Sequence, residues 1–427
     1  MPLLCLFVAM FALGAFLRLI NMDGPQTLKW DEHHYVVTAR RYLHHEYLYN
    51  DHPPLSKLVI MAFMRVFGDG PVAWRLPSLL TGFLNIGLVA AITHRAFGSV
   101  RAAWFAAAFT AIDGFFIVYS RTALLDGIMV SLALTAMLAV LSGRTIKSVI
   151  FAGVLVGAVT SYKLNGLVFV VSCAGVCILS PRLRRYTPLL LLSAAGVYYA
   201  QWVYMLVNVG RSGSFASVID ENLAMVKSNL SYTVVHPYSS KWYTWFIPTN
   251  PIFLRRDVDI DGSVRALLTL GNPLLWWAAI FAVIEVTSAL LKPGIKRLWS
   301  VLISDTPSPA THDGLSQTAA DTPSSAPALL SEVQLRGAFW LVACYLGPIL
   351  FWVPSLRDAY IYHYMPSYAF ALPLLGWIAH RSYRSRRLAT LLALMSVFLV
   401  SVMYAPLWAE LPLSASALAQ RLPAVWR

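Results

Sequence analysis

The sequence predicts an all-α polytopic membrane protein with about eleven transmembrane helices, whose polar chemistry gathers on one side of the bilayer. Three observations lead there. Hydrophobic residues make up 58% of the 427-residue chain and charged residues only 12%, with a mean hydropathy of +0.62, a balance outside that of soluble domains. The apolar residues fall in runs of about twenty, the length a helix needs to cross the hydrocarbon core. The 33 Lys and Arg residues cluster between those runs, where they set topology rather than track a phosphate backbone, so the net charge of +13 does not point to nucleic acid.

The first run, 2–20, is longer than a signal-peptide core and lacks a basic start and a small-residue cleavage site, so it reads as a retained helix. Further runs lie at 72–93, 102–118, 124–142, 187–208, 264–291, 335–354, 362–379 and 388–405. The apolar interval 148–180 is interrupted by Ser161-Tyr162-Lys163-Leu164-Asn165-Gly166 and reads as two short helices. With the N-terminus inside, this split places Arg95 and Arg101, then Arg144 and Lys147, then Arg182, Arg184 and Arg185, then Lys292, Lys296 and Arg297, and finally Arg381, Arg384, Arg386 and Arg387 in cytoplasmic connections, as the positive-inside rule requires. A single helix there would invert everything after it.

The outer side then receives the loop 21–71, where interfacial helices are expected, the loop 209–263, and the tail after 405. Three parts follow: an N-terminal transmembrane catalytic module at 1–298, a linker at 299–334, and C-terminal transmembrane helices with the outer tail at 335–427. The linker is rich in Ser, Thr, Pro, Ala and Asp and is expected to be disordered and cytoplasmic, because it can bury little apolar surface. Cys5, Cys173, Cys177 and Cys344 all sit in apolar runs and read as small core residues rather than metal ligands.

Candidate chemistry lies on the outer side. Asp31 and Glu32 follow the first run by about ten residues; near the interface and near cations, such a carboxylate can be tuned as a general base, and a solvated pair at a helix start is the plainer alternative. In Asp51-His52-Pro53-Pro54-Leu55-Ser56-Lys57 two prolines stiffen a corner that presents His52 and Lys57, as a binding site or as a simple turn. Trp74-Arg75-Leu76-Pro77-Ser78, Arg121 through Asp126, and Lys163 with Gly166 bring Arg75, Arg121, Lys163 and Asp126 to the same face. Three cations beside a carboxylate pair suit a lipid-linked phosphate leaving group. His236-Pro237-Tyr238-Ser239-Ser240, with Trp242 and Trp245, and Arg357-Asp358-Ala359-Tyr360-Ile361-Tyr362-His363-Tyr364 add aromatics that fit either an interfacial belt or a sugar site. His236, Tyr238, Trp242, Trp245 and His363 are the acceptor or sugar candidates. Histidines are numerous, and a divalent cation could assist a phosphate leaving group, but no ligand spacing assigns a metal.

Taken in order from residue 31 to about 366, these short motifs resemble the protein O-mannosyltransferases, membrane glycosyltransferases of the GT-C type. The resemblance implies transfer of mannose from a polyprenyl (dolichyl-type) phosphate to Ser or Thr hydroxyls of proteins at the non-cytoplasmic face, with inversion at the anomeric carbon. It implies that Asp31 is the catalytic base with Glu32 in support, and that Arg75 is functionally important. Eukaryotic members carry a soluble β-trefoil insert in the large outer loop; here only about fifty residues separate the flanking spans, the shape of bacterial members. A bacterial inner membrane is therefore expected, with the endoplasmic reticulum as the fallback. Two other readings stay open: a GT-C relative that passes a polyprenyl-phosphate-linked sugar such as aminoarabinose to a lipid or glycan, and a membrane transporter.

Overall fold

Helix boundaries follow local chemistry. The computed structural model describes residues 2–24, 26–124, 126–231, 236–304, 330–355 and 359–422. After α1 (Pro2–Leu19), the first outer loop folds into α2 (Glu32–Leu43) and α3 (Leu55–Phe67), the interfacial helices expected there. α4 (Pro71–Phe97) starts on a proline, whose missing N–H costs nothing at a helix start, and stops at Gly98 in the left-handed region (φ +66°). The run at 102–118 is broken into α5 (Val100–Ile112) and α6 (Gly114–Tyr119) by Asp113, whose carboxylate accepts the Phe115 N–H at 2.9 Å and caps the second piece.

α7 (Asp126–Ser142), α8 (Ile146–Tyr162), α9 (Leu167–Leu179) and α10 (Thr187–Asn208) follow. The interval 148–180 is thus split at Lys163, and a 3-10 turn at Leu164–Gly166 joins the halves. The second outer loop holds α11 (Phe215–Ser231) and an antiparallel hairpin of β1 (Phe253–Val258) and β2 (Val264–Leu268). The sequence predicts a single span over 264–291. The structure corrects this: its first residues pair as β2, and the helix α12 (Pro273–Leu291) begins only after Asn272 caps it by accepting the Leu274 and Leu275 N–H groups. α13 (Ile295–Ile303), α14 (Glu332–Trp352), α15 (Met365–Ser385), α16 (Arg387–Ala409) and α17 (Ala415–Arg421) complete the chain. The expected linker 299–334 begins inside α13; its residues 305–329 lie outside the described residues, as do Arg357 and Asp358.

Among the described residues, six helices (α1, α4, α10, α12, α14 and α16) are long and apolar enough to cross a membrane, and α5, α7, α8 and α9 are shorter apolar helices. With α15 they stand where the sequence places eleven spans. Large apolar side chains such as Leu4, Leu192, Phe281 and Leu388 remain exposed on their outer surfaces, as lipid-facing residues must. Inside the bundle, contact depends on small residues. A Cβ on Gly153 would lie 2.5 Å from the Leu190 carbonyl oxygen and one on Gly157 2.5 Å from that of Ala194, so α8 and α10 meet backbone to backbone through a Gly-xxx-Gly stripe. α15 packs against α5, and α14 against α15 and α9, so the C-terminal helices share one core with the N-terminal ones.

The break at Asp113 is held from three sides. Its carboxylate also accepts the Asn272 N–H (2.9 Å) and the Tyr368 hydroxyl (3.1 Å). The carbonyls that α5 frees near its end, Thr110 and Ala111, accept the Arg18 guanidinium from α1. A buried acid and a buried cation thereby join α1, α5, α6, α12 and α15 where the backbone cannot satisfy itself.

Candidate active site

Asp31 is set by the residues on either side of it. Trp30 has φ +40°, a conformation that costs a non-glycine residue about 1–3 kcal/mol, and this sharp turn ends the approach to α2. Glu32, the next residue, is fully buried. It accepts Arg75 Nε at 2.9 Å and Nη2 at 2.9 Å, the Lys29 N–H at 2.9 Å and the Ala123 N–H at 2.8 Å. A carboxylate held by a bidentate guanidinium and two backbone donors is a fixed anchor. It ties the first outer loop to α4 and to the turn after α6, and leaves Asp31 facing open space.

That space is a polar cavity of about 540 Å³ lined by Asp31, His34, Asp51, His52, Lys57, Asn229, Tyr360, Tyr362 and neighbours. A second cavity of about 700 Å³, with a mainly apolar lining that includes Leu164, Val226, Leu230, Phe351 and Trp352, also holds Lys163 and His363. The two share Asp51, His52, Asn229 and Tyr362 as common wall. Lys163 reaches that wall from the break between α8 and α9. Asp126 binds its ammonium at 2.8 and 3.0 Å, and the Tyr362 ring lies 4.6 Å from it.

Burial raises the Asp31 carboxyl above its ordinary value of 3.8; the nearby Lys163 and His34 pull the other way, as does a hydrogen bond from Trp30, without cancelling the shift. Glu32 goes the opposite way. Burial alone would raise it, but Arg75, through hydrogen bonds and charge, together with Lys29 and the Ala123 N–H holds it below its ordinary value. Adjacent carboxylates are thus driven apart, one toward holding its proton and one toward staying an anion. Lys57 donates to Asn50 Oδ1 (2.6 Å) and to the His52 carbonyl (3.2 Å), and its burial lowers it to about 7, with Asp51 opposing.

Two expected donor-phosphate cations stand elsewhere. Arg75 is taken up by Glu32 and by the carbonyls of Gly24 and Thr27. Arg121 donates to the carbonyls of Leu17 (2.7 Å) and Ile20, which close the C-terminal end of α1, and stands 4.0 Å from Glu410. Neither is among the described residues lining the two cavities. Short motifs announce that a cation is present, but not which way it points. His236 packs edge-on against Trp30 (5.1 Å between ring centres) and beside Tyr238 and Tyr360, forming the support of the polar cavity. Trp245 is buried, donates to Ser240 Oγ at 2.9 Å and lies over His363; Trp242 sits half-buried on a short 3-10 turn.

Sequence reading missed Asn229, whose helix α11 carried no motif, and the pair Lys29–Glu410 (2.6 Å, both buried). Glu410, at the end of α16, also accepts Arg255 at 3.3 Å. A lone acid after a long apolar run was its only signal. Among the described residues no group of three or more His, Cys, Asp or Glu side chains is arranged to hold a metal ion.

A helix bundle with interfacial helices after its first span, and with Asp31 in one and Lys163 in the other of two adjoining cavities, has the GT-C fold. Over 99% of its length the chain superposes on 92% of a chain from the yeast (S. cerevisiae) protein O-mannosyltransferase Pmt1-Pmt2 complex bound to the sugar donor, with a TM-score of 0.77 at 13% identity. ArnT from Cupriavidus metallidurans bound to undecaprenyl phosphate shares the fold at a TM-score of 0.57 and 15% identity, over 96% of this chain and 77% of that one. Family models described as dolichyl-phosphate-mannose-protein mannosyltransferase match residues 8–75 and 51–208, and that of the C-terminal four-helix region of protein O-mannosyltransferases matches 214–421. The chain belongs to the protein O-mannosyltransferase family. A polyprenol-phosphate-mannose–protein mannosyltransferase of Mycobacterium tuberculosis is 25% identical over 62% of this chain, and that of Corynebacterium glutamicum 24% identical over 64%. The match spans 66% of the length of the mycobacterial relative and 69% of the corynebacterial one.

Proposed function

We propose that this protein is an inverting glycosyltransferase that moves mannose from a polyprenyl-phosphate-mannose donor to Ser and Thr hydroxyls of proteins at the non-cytoplasmic face of a bacterial plasma membrane. The observation that carries the reading is the pair of unlike cavities behind one wall, with Asp31 in the polar one and Lys163 in the apolar one. A donor with an isoprenoid tail and a phosphate-linked sugar needs such a division. The tail lies against Leu164, Val226, Leu230 and Phe351, the phosphate meets Lys163, and the sugar crosses the wall at His52 and Tyr362. The names of the bacterial relatives support the donor and the acceptor class, and the long apolar helices support the membrane.

In the reaction, Asp31 accepts the proton of the acceptor hydroxyl as its oxygen attacks the sugar C1 from the polar side. The C1–O bond to phosphate breaks with its electron pair on the phosphate, and Lys163, aimed by Asp126, offsets the growing charge. Lys57 and His52 meet the sugar from the Pro-Pro corner. Arg75, Arg121 and Glu32 hold the frame. Mannosyl transfer by the purified protein from polyprenyl-phosphate-mannose to a Ser/Thr-rich peptide, with lipid and glycan acceptors offered in parallel, tests the reading. Peptide labelling is expected; labelling of the lipid or glycan alone would move the protein to the neighbouring transferase class, and no donor turnover or binding would sink the transferase reading.

A further inference from the structure

We infer that the acceptor polypeptide is held through its main chain, as an extended strand laid along Tyr47-Leu48-Tyr49 at the rim of the Asp31 cavity; this rests on the protein acceptor proposed above. After α2, His45 turns the chain at φ +61°, and residues 46–50 then run without helix, turn or bend. Their contacts alternate as those of a strand do. Tyr47 and Tyr49 donate through their hydroxyls to α11, at Glu221 (2.9 Å) and at the Ala224 carbonyl (3.1 Å), and the Arg211 guanidinium lies 4.2 Å from the Tyr47 ring. Asn50 goes the other way: buried, it accepts from Tyr42 (2.8 Å) and from Lys57 (2.6 Å). The segment is therefore fixed along its length.

Its backbone is used on one edge only. The Glu46 N–H donates to the Arg41 carbonyl at 2.8 Å, and the Leu48 carbonyl accepts from Asn50 Nδ2 at 3.2 Å, so the edge formed by the even-numbered residues turns onto the protein. The edge formed by the odd-numbered residues is open: among the described residues no hydrogen bond engages the backbone N–H or C=O of Tyr47 or Tyr49. In an antiparallel ladder a residue exchanges both its N–H and its C=O with the residue opposite, so these two offer four bonds to an added strand. Native proteins blunt open edges with charge or proline; here Tyr47, Leu48 and Tyr49 are exposed and uncharged, and the prolines come only at Pro53 and Pro54. Leu48 and Tyr49 line the same cavity as Asp31, so a chain paired on this edge passes beside the base. Main-chain pairing takes Ser or Thr in varied sequence and gives no grip on a lipid or a glycan, which have no ladder of amides.

Mannosyl transfer by the wild-type, full-length protein from polyprenyl-phosphate-mannose to a short peptide with one central Ser, made as a series in which a single backbone N-methyl group moves along one residue at a time, tests this. Each N-methyl group removes one main-chain donor. Losses of about tenfold in kcat/KM at alternate peptide positions, with little change at the positions between, are the expected result, because only every second residue of a paired strand faces the open edge. Equal labelling of every peptide, or losses without alternation, overturns the inference and leaves the protein acceptor standing. Wild-type protein that labels no unmethylated peptide overturns the proposed function, and the strand with it.

Discussion

At the scale of single residues, the site rests on two neighbouring carboxylates with opposite environments. Asp31 is destabilised as an anion by burial, and Glu32 is stabilised as one by Arg75. For Asp31 the folded-state value exceeds the unfolded one, so its ionisation costs stability as pH rises through the range between them and above. Transfer by the wild-type protein should therefore rise with pH through an apparent value above 3.8, and a pH–rate profile from about 4 to 8 checks it; a rate already flat at pH 4.5 would deny Asp31 the role of base. For Glu32 the sign is reversed: its contribution is present above its unfolded value and is lost as pH falls through the folded one. Removing Arg75 leaves that anion buried without its partner. Arg75→Ala is expected to destabilise the protein by about 3–5 kcal/mol, read as a fall in the denaturation midpoint, and Arg75→Lys should restore it only partly because a lysine cannot form the fork. Sequence made the acidic pair and the arginine legible as polar residues at an interface, but not their pairing, because a contact between residues 32 and 75 leaves no local spacing signal.

At the scale of elements, the placement of Lys163 depends on the turn that separates α8 from α9. The interruption was legible because a lysine, an asparagine and a glycine in an apolar run cannot continue a lipid-facing helix, and the break delivers the ammonium to the wall between the cavities. α8 is held for this by its close approach to α10. Gly157→Leu should force those backbones apart, since a Cβ there already falls 2.5 Å from a carbonyl oxygen; overpacking of this kind costs about 1–3 kcal/mol or more. The expected outcome is a lower Tm together with weaker donor binding, while Gly196→Leu on α10, where a Cβ meets nothing within 4 Å, should leave both unchanged. The hairpin of β1 and β2 was not legible, since Val264-Arg265-Ala266-Leu267-Leu268 runs almost directly into the apolar α12, and only Asn272-Pro273 marks the true helix start. α11 was missed for a related reason: its apolar residues Phe215, Ile219, Leu223 and Leu230 stay exposed, so composition alone read it as loop.

For the whole molecule, ion pairs within the protein do what loops in water leave to solvent. Lys29 in the first outer loop and Glu410 after α16 meet at 2.6 Å across 381 residues, and Arg255 from the hairpin joins them, so ion pairs tie three outer segments together. The fold class was legible from hydropathy and charge placement, because a bilayer admits so few architectures. The division of the site into two cavities was not, because it is set by α11, the Pro-Pro corner and the 359–364 turn meeting in space. In the proposed reaction Asp31 acts on the acceptor while Lys163 and the apolar cavity hold the donor. The most direct measurement is mannosyl transfer and donor binding, side by side, for wild type and Asp31→Asn. A fall in transfer of about 10²–10⁴-fold with donor affinity and Tm unchanged is the predicted result. Transfer close to wild type in Asp31→Asn, or loss of donor binding in step with activity, would contradict it.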